Sequence, residues 1–313
     1  MKFLILGHLC IDIFREKETS RTETPRSGKR WGGIFFSLAT LANLDEASTV
    51  HPVFGVAEEE YEAFLERIEH YPNIDTSGIY QIPGPPNQVS LFYGDRERRI
   101  ECSEHIAPPI PFEKIEPYLD ASAILVNMIS GFDLTLETLN AVRMRTQEKG
   151  TLLHLDLHSL TLGIDEQHRR FLRPLQTWRR WCYFADTVQM NEEEAKVLPL
   201  EHLQEDDLVK QIFSLGLQAV VLTRGPKGTT TWAQDHKRIS RHDIPASPVE
   251  NQVDPTGCGD VFAAAFCFHY ASHRDARAAV EFANGVAALN VGYLGSDGID
   301  MIARVRKGVE AEK

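Results

Sequence analysis

Short unbroken apolar runs alternate along the chain with longer stretches in which apolar residues recur every three or four positions. Residues 3–6, 50–56, 123–126, 151–155, 187–190 and 219–223 are runs of the first kind, the pattern of strands covered on both faces. Helices are expected over 34–42, 58–71, 134–148, 192–198 and 276–289. In 58–71, Tyr61, Phe64, Leu65 and Ile68 recur at helical spacing. A mixed helix interrupted at Pro174 is expected over 169–181, and a short terminal one over 299–309. Strand and helix in regular alternation predict an α/β fold built on a doubly wound, mostly parallel sheet.

One region breaks the alternation. Residues 88–93 and 99–102 flank the charged turn 94–98 and read as an antiparallel hairpin. Residues 7–12 are the exit of the first strand, and 15–30 are charged and turn-rich, the composition of a loop or an exposed edge. Strands from about 10–30 and 86–103 are therefore expected to form a small β-sheet lid on a single domain spanning 1–313. An exposed edge at 88–102 would invite pairing between two copies, giving a homodimer through the lid. There is no internal repeat and no low-complexity segment.

Composition narrows the class. The 313 residues suit one large α/β domain with a small appendage. A net charge of −12 argues against a nucleic-acid partner, which would want a basic face. No apolar stretch approaches the ~20 residues of a membrane span. The opening run is broken by Gly7, unlike a cleavable signal. Five scattered cysteines (Cys10, Cys102, Cys182, Cys258 and Cys267) lack metal-ligand spacing and fit reduced thiols of the cytoplasm.

The candidate chemistry centres on 254–260, which runs into the small and apolar residues 261–267, a glycine-rich turn opening a buried helix. Gly257 and Gly259 let the backbone approach a ligand. Peptide N–H groups at a helix start lack intrahelical partners and sit at the positive end of the dipole, which suits a phosphate. A carboxylate beside a phosphate is repelled, unless it accepts the proton of a hydroxyl attacking that phosphate; Asp260 is placed for that use. Read alone, Thr256 and Asp260 would equally serve as helix caps.

The run Asp254-Pro255-Thr256-Gly257-Cys258-Gly259-Asp260 resembles the signature of the ribokinase-like (PfkB) carbohydrate kinase family. Four more pieces stand in that family's order: the Asp12 strand exit, Gly32-Gly33, Asn191-Glu192-Glu193-Glu194, and Thr223-Arg224-Gly225-Pro226-Lys227-Gly228. The resemblance spans the chain. It implies a doubly wound α/β domain with a small β lid, and transfer of the γ-phosphoryl of ATP to a hydroxyl of a sugar or sugar-like molecule. By that likeness Asp260 is the general base, and the N–H groups of Gly257, Cys258 and Gly259 form the anion hole. Thr256 and Asp254 support the loop, and Asp254 would help hold a monovalent cation such as K⁺, as in some members. Asn191 and Glu194 match the Asn-x-x-Glu motif that organises Mg²⁺, often through waters, in keeping with the waters this ion retains. Without the family, three successive glutamates merely favour a helix N-terminus. Thr223, Gly225 and Gly228 match the loop along the nucleotide, Lys227 is a candidate phosphate contact, and Asn284 corresponds to a position near the adenine. No P-loop run is present.

On the acceptor side, Asp12, Gly32 and Gly33 match the family's sugar contacts. Ser37 stands where sugar-specific members often carry Asn, and Asp156-Leu157-His158 where several show Asp-Pro-Asn, so the particular sugar stays open. Trp31, Phe35 and Phe36 would stack on a base or fill the core, which keeps a nucleoside kinase as an alternative. Arg96, Arg98 and Arg99 would meet a phosphorylated acceptor or simply solvate the turn. A catalytically silent nucleotide-binding scaffold is the third reading, opposed by Asp260, both loop glycines, Asn191 and Glu194.

Overall fold

The computed structural model describes residues 1–16, 28–93, 100–201, 203–235, 238–249 and 251–305. The chain starts with β1 (Lys2–Leu6), β2 (Leu9–Glu16), β3 (Gly28–Gly33), α1 (Ile34–Leu44) and β4 (Thr49–Ala57). It continues through α2 (Tyr61–Ile68), β5 (Ile79–Ile82), β6 (Gln88–Tyr93), β7 (Ile100–Glu104), α3 (Phe112–Ile115), β8 (Ala123–Asn127) and α4 (Leu136–Thr146). Next come β9 (Leu152–Asp156), β10 (Leu162–Ile164), β11 (Arg170–Leu172), α5 (Trp178–Tyr183), β12 (Thr187–Asn191), α6 (Glu192–Val197) and α7 (Glu205–Ser214). The last elements are β13 (Ala219–Thr223), β14 (Thr229–Asp235), β15 (Arg238–Ile244), α8 (Cys258–His273) and α9 (Ala276–Asn290).

Nine strands form one sheet in the order β15-β14-β13-β12-β9-β8-β1-β4-β5. Pairing is parallel from β13 to β5 and antiparallel across β13-β14-β15. Every residue of β8 and β9 is buried, as parallel strands covered on both faces require. All eleven residues of α1 are buried too, and this helix packs on α8. The alanines 263–265 keep α8 slim where it meets β8 and β9.

A second sheet of four strands, β3-β2-β6-β7, is the lid expected from the sequence. Of the loop or exposed edge expected over 15–30, the described end is the edge: β3 pairs with β2 from Gly28 to Gly33 at the margin of the lid; residues 17–27 lie outside the described ones. The expected helix over 169–181 is also corrected. β11 pairs there with β10, and only Trp178–Tyr183 is helical, after Pro174 has removed a donor. This β10-β11 hairpin covers the edge of β7: Arg169 bridges to Cys102, and Ser103 N donates to His168 O at 2.8 Å. The edge expected to be exposed is thus met within the chain at Cys102 and Ser103. The expected terminal helix is seen as a 3₁₀ turn at Ile299–Ile302 followed by α-helix through 305; residues 306–309 lie outside the described ones.

Candidate active site

Parallel strands deliver their carboxyl ends to one side of the large sheet, where crevices of doubly wound folds form. Asn127 ends β8, Asp156 ends β9 and Asn191 ends β12. The lid and the start of α8 face this rim. Between them lies a pocket lined by Asp12, Glu101, His158, Arg170, Gly257 and Asp260, with Phe36, Val89, Leu91 and Ile129 as its apolar wall.

Asp260, in the first turn of α8, is 6% exposed. Asn127 Nδ2 donates to its Oδ1 at 2.9 Å and to Ser37 Oγ at 3.1 Å, while Ser37 Oγ donates to the Asp260 carbonyl at 3.1 Å. Ser37 is therefore placed beneath Asp260, fully buried, and not among the residues lining the pocket where an acceptor contact was expected. Asn127 escaped the sequence reading. Its signal was a polar residue closing an apolar run, the pattern that Asp156 and Asn191 repeat on neighbouring strands.

His158 Nε2 lies 3.9 Å from the same Asp260 oxygen. Its Nδ1 is 2.7 Å from Ser159 Oγ, whose own proton goes to Ile129 O at 2.6 Å. Ser159 must then accept from the imidazole, so Nδ1 carries a proton, and Nε2 is the ring atom turned towards Asp260. The backbone of His158 has φ 34°, a left-handed conformation rare outside glycine.

Asp12 lies directly over Gly32, where a Cβ would collide with the carboxylate. Gly33 ends β3 and begins α1. Burial, then the Asp12 charge, pushes the Cys10 thiol well above its usual range, so this cysteine is an inert wall. Phe35 is core, edge-on to Phe64, and Phe36 lies beneath Gly257. Trp31 lines a second, narrow cleft with Leu9, Ile11, Val56, Ile82 and Asn87, and Cys10 belongs to both cavities.

Gly257 has φ 76°, and a Cβ there would overlap the Phe36 ring. Of the three expected anion-hole donors, Cys258 N–H is engaged with Pro255 O at 3.1 Å. Among the described residues, the N–H groups of Gly257 and Gly259 have no protein acceptor. Asp254 is fully buried and accepts from Tyr93 OH (2.9 Å), Thr256 Oγ1 (2.8 Å), Thr256 N (3.2 Å) and Gly295 N (2.9 Å). Four protein donors make it a brace between β6 and the loop.

The residues expected on the donor side are bound up among themselves. Asn191 caps α6, accepting from Glu193 N and Glu194 N at 2.9 Å, and Glu194 reaches back to Asn191 N at 2.8 Å. Burial pushes the Glu194 carboxyl up to about 7, although the His158 charge opposes this. Asp156 is raised well above its usual range by burial and then by Glu194 and Asp260. Lys227 meets Glu192 at 3.2 Å, and Gly225 and Gly228 shape the turn from β13 to β14. Thr223 Oγ1 is 3.5 Å from Met190 O. Asn284 accepts from Thr229 Oγ1 and donates to Pro245 O, joining α9 to β14. Among the described residues, no three or more His, Cys, Asp or Glu side chains are grouped to hold a metal by themselves.

The pfkB family carbohydrate kinase model matches residues 5–301. The chain belongs to that family and is a kinase, a phosphotransferase with an alcohol acceptor; the family uses ATP. It is similar to the cytidine kinase of Thermococcus kodakarensis, 26% identical over 283 residues, 88% of this chain and 90% of that one. Two solved structures share the fold. A protein of E. coli described as a ribokinase II, in complex with ATP and Mg²⁺, has a TM-score of 0.73 at 16% identity, covering 98% and 99% of the two chains. A nucleoside kinase of Burkholderia thailandensis in complex with inosine has 0.72 at 19%, covering 100% and 96%. Among the described residues no helix is long and apolar enough to cross a membrane.

Proposed function

We propose that the protein transfers the γ-phosphoryl group of ATP to a hydroxyl of a small, neutral polyhydroxy acceptor, a sugar or a nucleoside. The observation that carries this reading is the meeting of Asp12 and Asp260 in one pocket at the start of α8. Asp12 accepts hydrogen bonds from acceptor hydroxyls and orients them. Asp260 takes the proton of the reacting hydroxyl, whose oxygen bonds to the γ-phosphorus as the bond to ADP breaks. The N–H groups of Gly257 and Gly259 receive the charge on the transferred group. Asn127 and the Ser37 hydroxyl hold Asp260 in place throughout.

Burial raises Asp156 and Glu194, and the Asp260 charge adds to both, so positive charge brought near them would be favoured. Asn191 and Glu194, tied together as a cap, would hold Mg²⁺ through waters, and the ion would supply charge neutralisation on the phosphates. Asp254, with both oxygens accepting from the chain, supports the loop.

The test is ADP release with Mg-ATP across neutral sugars, polyols, nucleosides and sugar phosphates, with Asp260→Asn as the blank. One neutral acceptor with Asp260-dependent turnover supports the reading; turnover confined to sugar phosphates overturns the neutral-acceptor assignment. Within this panel a nucleoside is favoured by the similarity to the cytidine kinase of Thermococcus kodakarensis over 88% of the chain. Cytidine or inosine outcompeting ribose for the site is the expected result; ribose outcompeting both nucleosides removes that reading.

A further inference from the structure

Arg170 reaches the acceptor pocket from β11, the strand that stands where the sequence promised a helix. Its side chain is only 8% exposed. The Nε end is fixed, donating to Ser103 Oγ of β7 at 2.6 Å. The fork beyond it is held loosely. Nη1 is 3.3 Å from Glu101 Oε2 and 3.5 Å from Ser159 Oγ, and Nη2 is 3.4 Å from Ile129 O. A well-made bond from a guanidinium to a carboxylate measures about 2.7–2.9 Å. A buried fork with three long contacts gains by exchanging them for closer oxygens. Glu101 offsets the arginine's charge, while Asp12 and Asp260 line the same pocket. An anionic acceptor would meet their repulsion, whereas an uncharged one rich in oxygens would not.

We propose that Arg170 determines acceptor choice: its fork donates to oxygens of a neutral polyhydroxy acceptor whose other hydroxyls reach Asp12 and Asp260. This rests on the kinase reading above.

The experiment compares wild type, Arg170→Gln and Arg170→Lys with whichever neutral acceptor the wild type phosphorylates. Losing charge-assisted bonds should raise the acceptor KM about 10–100-fold in Arg170→Gln. kcat should stay within about threefold, and the ATP KM should not move. Arg170→Lys keeps the charge without the fork and should fall between the two. A brace alone would instead lower Tm and leave the acceptor KM within twofold, and that result overturns the proposal while the kinase reading stands. If Arg170→Gln does not fold, the acceptor KM of Arg170→Lys decides in the same way. Should the wild type turn over no acceptor, calorimetric titration of the same panel into wild type and Arg170→Lys decides. Weaker binding by the variant sustains the assignment and sinks only the proposed transfer; equal binding, or none by either, overturns it.

Discussion

The proposed acceptor and donor sides of the site differ in how their polar groups are satisfied. On the donor side, Asn191 and Glu194 cap a helix, Lys227 pairs with Glu192, and Asn284 ties α9 to β14. On the acceptor side, Asp260 is clamped from beneath by Asn127, yet it lines the pocket beside Asp12 and a loosely held Arg170. A group fixed at its root and open at its tip is what transfer chemistry needs, because aim must survive without a ligand. Groups that bond one another keep their shape and exchange partners only when a nucleotide arrives. The largest mutational effects should therefore fall on the acceptor side and the smallest on the donor side.

Asp260→Asn tests the strongest form of that difference. Removing the base should lower kcat about 10³-fold. Nucleotide affinity, read by calorimetry, should change less than about twofold, since the amide keeps the shape of the clamp. Near-normal turnover in the variant would end the general-base assignment.

Behind both sides stands β9, which carries His154 in the core as well as Asp156 at the rim. His154 is fully buried, with Nδ1 2.8 Å from Thr187 Oγ1 and its ring 5.0 Å from Phe266. Burial lowers its pKa from the usual 6.5 to about 3. The fold favours the neutral ring, so the unfolded chain takes up the proton first. Its contribution to stability is complete above about pH 6.5 and is lost as pH falls from there towards 3. The loss is about 1.4 kcal/mol per pH unit, or roughly 2 kcal/mol at pH 5. Urea unfolding at pH 7.5 and pH 5 should show it, and His154→Gln should remove that share of the acid sensitivity. An unchanged slope in the variant would place the acid-sensitive group elsewhere.

The two loop glycines sharpen the comparison within a single turn. Gly257→Ala strains a positive φ and drives a methyl into Phe36, costing about 1–2 kcal/mol of stability along with activity. A Cβ at Gly259 meets no protein atom within 4 Å. Gly259→Ala should therefore hold stability or gain about 0.5 kcal/mol in the helix, while turnover still falls because the methyl crowds the transferred phosphate. Equal losses of stability in both variants would show that the loop is only structural.

Much of this was legible in the sequence. Strands β1, β8, β9, β12 and β13 were readable because each is a bounded apolar run, and the lid hairpin because its turn is so charged. The loop around Asp260 was readable because backbone demands restrict it to small residues. Other elements were hidden for definite reasons. β15 alternates exposed charges such as Arg238, Arg241 and Asp243 and so resembles a loop. β11 is three residues long, and what makes it a strand is pairing with β10 while its hairpin docks on β7. Arg170 and Asn127 act through partners up to 69 and 133 positions away, which no local period encodes.

The smallest effect should come from Lys227 on the donor side. Its side chain is 71% exposed, and Glu192, its partner, is also held by Arg224 at 3.1 Å. An exposed pair of this kind contributes little, so Lys227→Ala should change stability by less than about 0.5 kcal/mol. If the amine serves only this surface pair, the ATP KM should rise no more than about two- to threefold, through weaker attraction of the nucleotide's charge. A rise beyond tenfold would mean that Lys227 leaves Glu192 to hold a phosphate. The donor side would then resemble the acceptor side, as a set of groups that the ligand itself completes.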